Sequence, residues 1–398
     1  MKKMKKFLSL ALACALVVSS FAGCSNSETS GGTSGDSSES DSLVFKIGGI
    51  GPMTGDAAAY GIAVDNGAKL AVEEINAAGG INGYQVEFKS EDDEADAEKA
   101  VNAYNSLKDW GMQMLMGTVT SGSCTAVASQ TDSDRMFQIT PSGTAVESVQ
   151  DHDNVFRVCF SDPTQGAKSA EYIATKGIAT KIAVIYNSSD VYSSGIYNSF
   201  AAEAKNQGLE VVSAEAFTAD NKTDFSVQLQ KAKDSGAELV FLPIYYQEAS
   251  AILQQADKMG YKPMFFGCDG LDGILGVEGF DTSLAEGVML LTPFAADAQD
   301  EKTQKFNEAY EAEFGETPIQ FAADAYDGIY AIKLAAEKAG ITPDMDYTEM
   351  CEKMIAAMPE IELDGLTGVD GITWGADGEP NKAPKGVIIQ DGVYTSMD

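Results

Sequence analysis

The chain has 398 residues, of which 44% are apolar, and it carries a formal net charge of −33 at pH 7. This length and apolar content predict a globular protein with a sizeable core and two domains of ordinary size. The negative charge argues against nucleic acid or an anionic membrane surface as a partner, because like charges repel.

The first 23 residues are typical of a secretion signal. Four lysines among the first six residues precede an apolar run at 7–18, which is too short to span a bilayer. The motif Phe21-Ala22-Gly23-Cys24 resembles the lipobox of bacterial lipoproteins, with phenylalanine where leucine is usual. This resemblance implies cleavage before Cys24 and lipidation of that cysteine, and an ordinary signal peptide is the alternative.

The following segment, 24–42, consists mainly of serine, glycine, threonine and acidic residues. Such a composition cannot bury apolar surface, so it predicts a disordered tether. Acyl chains on Cys24 would hold the protein on the membrane without a transmembrane helix. We therefore expect a protein on the extracytoplasmic face of the cell membrane, attached through its lipid anchor only.

Four cysteines follow the tether, at positions 124, 159, 268 and 351, and their spacing contains no CxxC pair. The chain has one histidine, His152, so the sequence predicts no metal site. Buried free thiols are the default interpretation, and the spacing leaves open whether two of these cysteines pair.

From residue 43 onward, short β-rich runs alternate with amphipathic stretches of helical period. The predicted strands span 44–50, 84–89, 112–116, 137–139 and 155–160. The predicted helices span 61–78, 96–109 and 124–134. This alternation predicts a mostly parallel sheet covered by helices.

The same rhythm repeats after Pro163. Helices are predicted at 164–176, 195–207, 225–235 and 248–259, and strands at 181–186, 210–213, 239–242, 264–266 and 287–291. Long helices follow at 300–314, 323–339 and 347–358, and then short strands such as 386–389. A second α/β domain is the economical interpretation.

The segment Met116-Gly117-Thr118-Val119-Thr120-Ser121-Gly122-Ser123 joins a predicted strand to a predicted helix. The first-turn amides of a helix lack partners within the helix, and the helix dipole favours negative charge there. Ser121 and Ser123 could therefore supply hydroxyls to a small carboxylate. A simpler alternative is that one of them only caps the helix.

Ligands of open α/β sheets bind beyond the carboxyl ends of the strands, so the strand-to-helix loops should form the site. The loops of the first half contribute hydroxyl and amide groups, and those of the second half contribute tyrosines and a carboxylate. These loops lie at 51–61, 117–123, 140–145, 186–192, 243–248 and 267–270.

Motifs distributed in order over nearly all of the chain from Val44 carry a family resemblance. They are Ile50-Gly51-Pro52-Met53-Thr54-Gly55, Tyr60-Gly61, Ala78-Gly79-Gly80-Ile81-Asn82-Gly83, Asp92-Asp93, Ile139-Thr140-Pro141-Ser142, Phe156-Arg157, Asp224-Phe225, Ala285-Glu286-Gly287 and Tyr326-Asp327-Gly328. Together they resemble the branched-chain amino acid (leucine/isoleucine/valine) binding proteins of ABC importers. The resemblance implies a type I periplasmic binding fold, in which two Rossmann-like α/β lobes of parallel sheet are joined by three hinge crossings and close on a ligand.

Lobe boundaries and partners also follow from this resemblance. Lobe 1 is expected to comprise 43–162 and 293–381, and lobe 2 to comprise 163–292 and 382–398. The implied partners are a small amino acid and the transmembrane subunits of an ABC permease. The protein is expected to be a monomer without a cofactor.

The resemblance assigns roles to the polar residues of the loops. Ser121 and the backbone around Thr144 fall where the family binds the ligand α-carboxylate. The Ser142 carbonyl and the Thr144 hydroxyl fall where it binds the α-ammonium. Asp269 falls at the acidic partner of that ammonium, where the family has a glutamate that is one methylene longer.

The resemblance likewise implies the apolar walls of the site. Tyr60 matches the aromatic wall of the first lobe, and Tyr192 and Tyr245 match aromatic residues of the second, with Tyr246 as an alternative register for Tyr245. The expected side-chain pocket lies near Val119, Thr120, Gly143 and Phe321. Because Thr120 and Ser142 make this pocket polar, we expect an amino acid or a close amide analogue that need not be aliphatic. The disulfide of some relatives would fall near Ala95 and Thr120, and neither is cysteine.

Two other functions compete with solute binding. An enzyme is disfavoured, because the glycine-rich segment 49–55 has GxGxxxG rather than GxGxxG spacing and no GxSxG motif is present. A ligand-binding sensor of the same fold, for amino acids or small amides, remains the alternative, although no predicted transmembrane or signalling segment accompanies it.

Overall fold

Two β-sheets organise the chain. The computed structural model describes residues 43–368 and 370–397, so the predicted signal peptide, the tether and Cys24 lie outside the described residues. The first sheet is parallel throughout and has the strand order β2-β1-β3-β4-β5. Its strands are β1 Phe45–Gly51, β2 Val86–Asp92, β3 Met114–Gly117, β4 Phe137–Thr140 and β5 Val155–Arg157.

The helices between these strands have clear local signals. They are α1 Ala58–Ala77, α2 Ala97–Trp110 and α3 Ser121–Asp134. Helix α2 starts after Asp96, whose carboxylate accepts hydrogen bonds from the amides of Glu98 and Lys99. It ends at Gly111, where φ is 91° and glycine avoids the strain of a left-handed backbone.

The second sheet has the strand order β14-β13-β10-β9-β8-β6-β7. Its strands are β6 Lys181–Asn187, β7 Glu210–Phe217, β8 Leu239–Leu242, β9 Met264–Gly267, β10 Met289–Thr292, β13 Lys385–Gln390 and β14 Val393–Ser396. Strands β6 to β10 pair in parallel, and β13 pairs antiparallel with both β10 and β14. All four residues of β8 are buried, as expected where helices cover both faces of a parallel sheet.

Helices of the second half alternate with its strands. They are α4 Asp162–Thr175, α5 Val191–Asn206, α6 Ser226–Asp234 and α7 Tyr246–Lys258. Three later helices, α8 Glu301–Phe314, α9 Gln320–Ala339 and α10 Tyr347–Ala357, return to pack on the first half, where α9 lies against α1. A two-stranded ribbon, β11 Glu362–Leu363 with β12 Ile372–Thr373, precedes the final hairpin.

The chain therefore passes between the two halves three times, after β5, after β10 and before β13. This architecture confirms the predicted α/β fold with two mostly parallel sheets. The structure also places the four described cysteines as buried free thiols. Within the described residues, no helix is long and apolar enough to cross a membrane.

Several predicted boundaries were wrong. Helix α3 begins at Ser121 rather than at residue 124, with Thr120 as its N-cap, so neither Ser121 nor Ser123 is the capping residue. The strand predicted at 155–160 ends at Arg157, because the chain turns there toward α4. Strand β7 continues to Phe217, beyond the predicted end at residue 213.

Candidate functional site

A cavity lies between the carboxyl ends of the two sheets and is bordered by both halves. Its volume is about 10 Å³, roughly the room that one water molecule requires. The first half contributes the predicted residues Tyr60, Val119, Thr120, Ser121, Ser142 and Phe321, and the second half contributes Tyr192, Tyr245 and Asp269. Gly270 also borders the cavity, and the sequence did not single it out.

Gly143 and Thr144 were also predicted for the site, and they lie just behind the cavity wall. The Thr144 hydroxyl is 3.3 Å from Oγ of Ser121, which borders the cavity. A Cβ atom at Gly143 would lie 2.7 Å from Sγ of Cys124, so a larger residue there would force the loop or the Cys124 side chain to shift.

The amino end of α3 supplies the polar edge of the first half. Ser121 is the first residue of the helix and is 1% exposed, and its Oγ accepts a hydrogen bond from the amide of Ala145 at 3.1 Å. The helix dipole and the unpaired first-turn amides favour an anion at this end. This edge can therefore bind a small carboxylate.

Asp269 supplies a carboxylate from the second half. It follows β9, is 5% exposed and accepts a hydrogen bond at Oδ1 from the hydroxyl of Tyr192 at 2.7 Å. Its backbone is fixed on both sides, because its amide donates to Oε1 of Gln165 and its carbonyl accepts from Nε2 of Gln320. Burial raises the pKa of Asp269 to about 7, although the Tyr192 hydrogen bond opposes this shift.

A second buried carboxylate, Asp162, was missed by the sequence analysis. It opens α4 and is 1% exposed, and its amide donates to the carbonyl of Thr144 at 2.8 Å. Neither carboxylate oxygen has a hydrogen-bond partner among the described residues. Burial raises the pKa of Asp162 well above its usual range. An acidic residue in the first turn of a helix was the available signal, but its burial is a property of the tertiary structure.

Arg157 was quoted in a motif but not predicted to have a role at the site. Its guanidinium is fully buried and donates from one nitrogen to the carbonyls of Gly143, at 3.1 Å, and Thr144, at 2.6 Å. Its other terminal nitrogen lies 3.0 Å from Oε1 of Glu379. Arg157 therefore holds the loop behind Ser121 in place from the interior of the first half.

Aromatic rings form the remaining walls of the cavity. Tyr60 stacks on Phe321 with ring centroids 4.2 Å apart, and Tyr192 stacks on Tyr245 at 4.9 Å. Tyr60 also meets Tyr245 edge to face across the two halves. These stacked rings can exclude water from a bound ligand.

The two halves also contact each other directly, in a closed arrangement. The Tyr60 hydroxyl donates to the carbonyl of Gly270 and accepts from the amide of Tyr246 at 3.3 Å. Tyr246 does not border the cavity, and Tyr245 does. At the rim, Nζ of Lys222 in the second half lies 2.7 Å from Oδ2 of Asp56 in the first half and 3.4 Å from Oε1 of Glu248.

Comparisons with known proteins identify the family. A family model described as "Periplasmic binding protein" matches residues 44–386. The Leucine-, isoleucine-, valine-, threonine-, and alanine-binding protein of Pseudomonas aeruginosa is 31% identical over 297 residues, which cover 74% of this chain and 79% of the relative.

Two crystal structures give the same result at the level of the fold. The branched-chain amino acid transporter substrate binding protein LivJ from Streptococcus pneumoniae, solved in complex with isoleucine, is 29% identical, with a TM-score of 0.80. The leucine binding protein LivK from Thermotoga maritima is 26% identical, also with a TM-score of 0.80. Each match covers 89% of this chain and 98% of the other. The chain therefore belongs to the periplasmic binding protein family, within the group of branched-chain amino acid binding proteins.

Proposed function

We propose that this protein captures a small amino acid in the cavity between its two halves and delivers it to the permease of an ABC importer. The observation that supports this most strongly is that Ser121, at a helix amino end, and Asp269, a buried carboxylate, border one cavity from opposite halves. A zwitterion removed from water requires a partner for each charge. The names of the relatives also favour an amino acid.

In this proposal the two charged ends of the ligand contact different halves. The α-carboxylate accepts hydrogen bonds from Ser121 and from amides at the start of α3 and around Thr144. The α-ammonium pairs with Asp269 and donates to the Ser142 carbonyl and the Thr144 hydroxyl. Hydrogen bonds that involve a charged group contribute roughly 1.5–3 kcal/mol each.

The remaining predicted residues surround the body of the ligand. Aromatic and small side chains on both sides limit its size, and these residues are Tyr60, Val119, Thr120, Gly143, Tyr192, Tyr245 and Phe321. We define lobe 1 as 43–162 with 293–381, and lobe 2 as 163–292 with 382–398. Because the ligand touches both lobes, it stabilises the closed arrangement over an open one, and the permease can recognise the closed shape.

The proposed cellular setting follows from the signal segment. Lipidation of Cys24 would anchor the protein on the extracytoplasmic face of the membrane, with 24–42 as its tether. The protein acts as a monomer and binds its ligand without chemical change, so it is not an enzyme.

Calorimetric titration tests the proposal. The protein is unfolded and refolded to remove any co-purified ligand, and is then titrated with the standard L-amino acids and small amides. We expect at least one amino acid to bind with a dissociation constant of about 1 μM or below. This corresponds to a standard free energy of binding of about −8 kcal/mol or stronger. If none of these compounds binds, the proposed function is wrong.

A further inference from the structure

Thr120 has an unusual position for a helix-capping threonine. It is the N-cap of α3, with extended backbone angles, yet its side chain makes no capping hydrogen bond. N-cap threonines ordinarily accept a hydrogen bond from a first-turn amide. Thr120 borders the cavity, and the residue is 6% exposed.

The hydroxyl of Thr120 has no hydrogen-bond partner among the described residues. Other hydroxyls at the cavity are already engaged: Ser142 donates to the carbonyl of Val119, Ser121 accepts from Ala145, and Tyr192 donates to Asp269. Buried polar side chains in folded proteins nearly always have partners. Thr120 is therefore a cavity-lining residue whose buried hydroxyl lacks a partner, and a polar group of the ligand could supply that partner.

We propose that Thr120 is a specificity-determining residue that selects an amino acid whose side chain carries a hydroxyl or a small amide. This inference rests on the proposed function, because it concerns the side chain of the same ligand. A methyl group placed against Thr120 would offer its buried hydroxyl no hydrogen bond. A ligand hydroxyl or amide would pair with it, while Val119 and Phe321 contact the apolar part of the same side chain.

Isosteric ligands separate this inference from a general preference for small amino acids. Threonine differs from valine by a hydroxyl in place of a methyl group, and asparagine differs from leucine by an amide in place of a branched alkyl end. An unpaired buried hydroxyl disfavours the aliphatic member of each pair by a factor of roughly 5 to 100. The fit of each pair member to the cavity is otherwise nearly the same.

The experiment measures the affinities of the refolded protein for all four amino acids by calorimetric titration, in the native sequence and in Thr120→Val. We expect the native protein to bind the polar member of a pair at least about fivefold more tightly than its isostere. We expect the isosteric Thr120→Val to abolish that ratio. The matched control is Thr118→Val, because the Thr118 hydroxyl is also buried and unpaired but does not border the cavity.

The outcomes distinguish this inference from the proposed function. If the native protein binds valine or leucine at least as tightly as the polar isostere, or if Thr120→Val keeps the preference, Thr120 does not select the ligand. The inference also fails if all four ligands are refused while another amino acid binds. Failure of every amino acid to bind overturns the proposed function itself. A thermal unfolding scan establishes that each variant is folded.

Discussion

The hydroxyl of Tyr192 donates to Oδ1 of Asp269 at 2.7 Å and accepts from the amide of Gly270 at 3.0 Å. One tyrosine therefore fixes the orientation of the buried carboxylate relative to its own backbone. In the proposed complex this oriented carboxylate pairs with the ligand ammonium.

Asp269→Asn tests the role of this carboxylate. The amide keeps the shape of the side chain but removes the charge, so a buried ligand ammonium loses its partner. We expect the affinity for the amino acid to fall by roughly 2–5 kcal/mol, or about 30-fold to several thousand-fold, in calorimetric titration.

Asp327→Asn is the matched control for that variant. Asp327 is also a buried carboxylate, but it accepts hydrogen bonds from Leu366 and Thr367 and does not border the cavity. We expect it to lower the free energy of unfolding and to leave the affinity nearly unchanged. Equal losses of affinity in both variants would contradict the assignment of Asp269.

The affinity should depend on pH, because burial raises the pKa of Asp269 to about 7. Below this value the carboxyl is protonated in the unliganded protein and cannot pair with an ammonium. We therefore expect the association constant to rise as the pH increases through about 7 and then to level off. Titrations from about pH 5 to about pH 8 measure this, and Asp269→Asn should flatten the profile. A profile in which affinity decreases over this interval would contradict the prediction.

The stability of the unliganded protein should show the opposite trend. The folded state holds the Asp269 proton up to about pH 7, whereas the unfolded chain releases it near the ordinary value of 3.8. Because the folded state binds more protons in this interval, the contribution of Asp269 to the free energy of unfolding falls as the pH rises from about 4 to about 7. Denaturant titrations of the native protein and Asp269→Asn across this interval measure the contribution as a difference. A difference that does not change with pH would show that the pKa is not raised.

The ion pair between Asp56 and Lys222 joins the two halves in the closed arrangement. Exposed ion pairs contribute roughly 0.2–1 kcal/mol and are screened by salt. We expect Asp56→Asn to weaken ligand binding by at most about fivefold at low salt. At high salt the variant and the native protein should bind the ligand with nearly equal affinity. Glu301→Gln is the control, since its ion pair with Lys305 lies within one helix. A salt-dependent effect of similar size in both variants would show that the pair does not report on closure.

Arg157→Met should disturb the loop that contains Gly143 and Thr144, which lies next to the cavity. Removing this guanidinium leaves Glu379 without its cation and the carbonyls of Gly143 and Thr144 without their donor. We expect the free energy of unfolding to fall by roughly 3–5 kcal/mol, together with a loss of ligand affinity. Arg135→Met is the comparison, because Arg135 pairs with exposed acids at the surface and its loss should have a small effect. If the two variants lose similar stability, Arg157 does not hold the loop.

Local patterns in the sequence were sufficient for the order of strands and helices, because periodicity and capping residues are local properties. These patterns were less informative about where each helix or strand begins and ends. Helix α3, for example, begins at Ser121, because Gly122 and Ser123 join its first turn despite their low helix propensity. Ser121 and Asp269 lie in loops that the rule for open α/β sheets assigned to the site, but their individual roles came only from the family resemblance. Nothing in their local sequence indicates that they approach one another.

The features that the sequence did not predict are tertiary ones. Asp162 and Arg157 are charged residues that a local pattern would assign to the surface, and only the packing of both halves around them makes them buried. The unpaired hydroxyl of Thr120 likewise depends on where the neighbouring donors and acceptors lie. Such features follow from the assembled fold rather than from residue type or spacing.

A crystal structure of the protein with its bound amino acid tests the central claim most directly. We predict the ligand ammonium within hydrogen-bond distance of the Asp269 carboxylate and the ligand carboxylate at Ser121 and the start of α3. An amino acid bound in the reverse orientation, or at a place outside this cavity, would contradict the account.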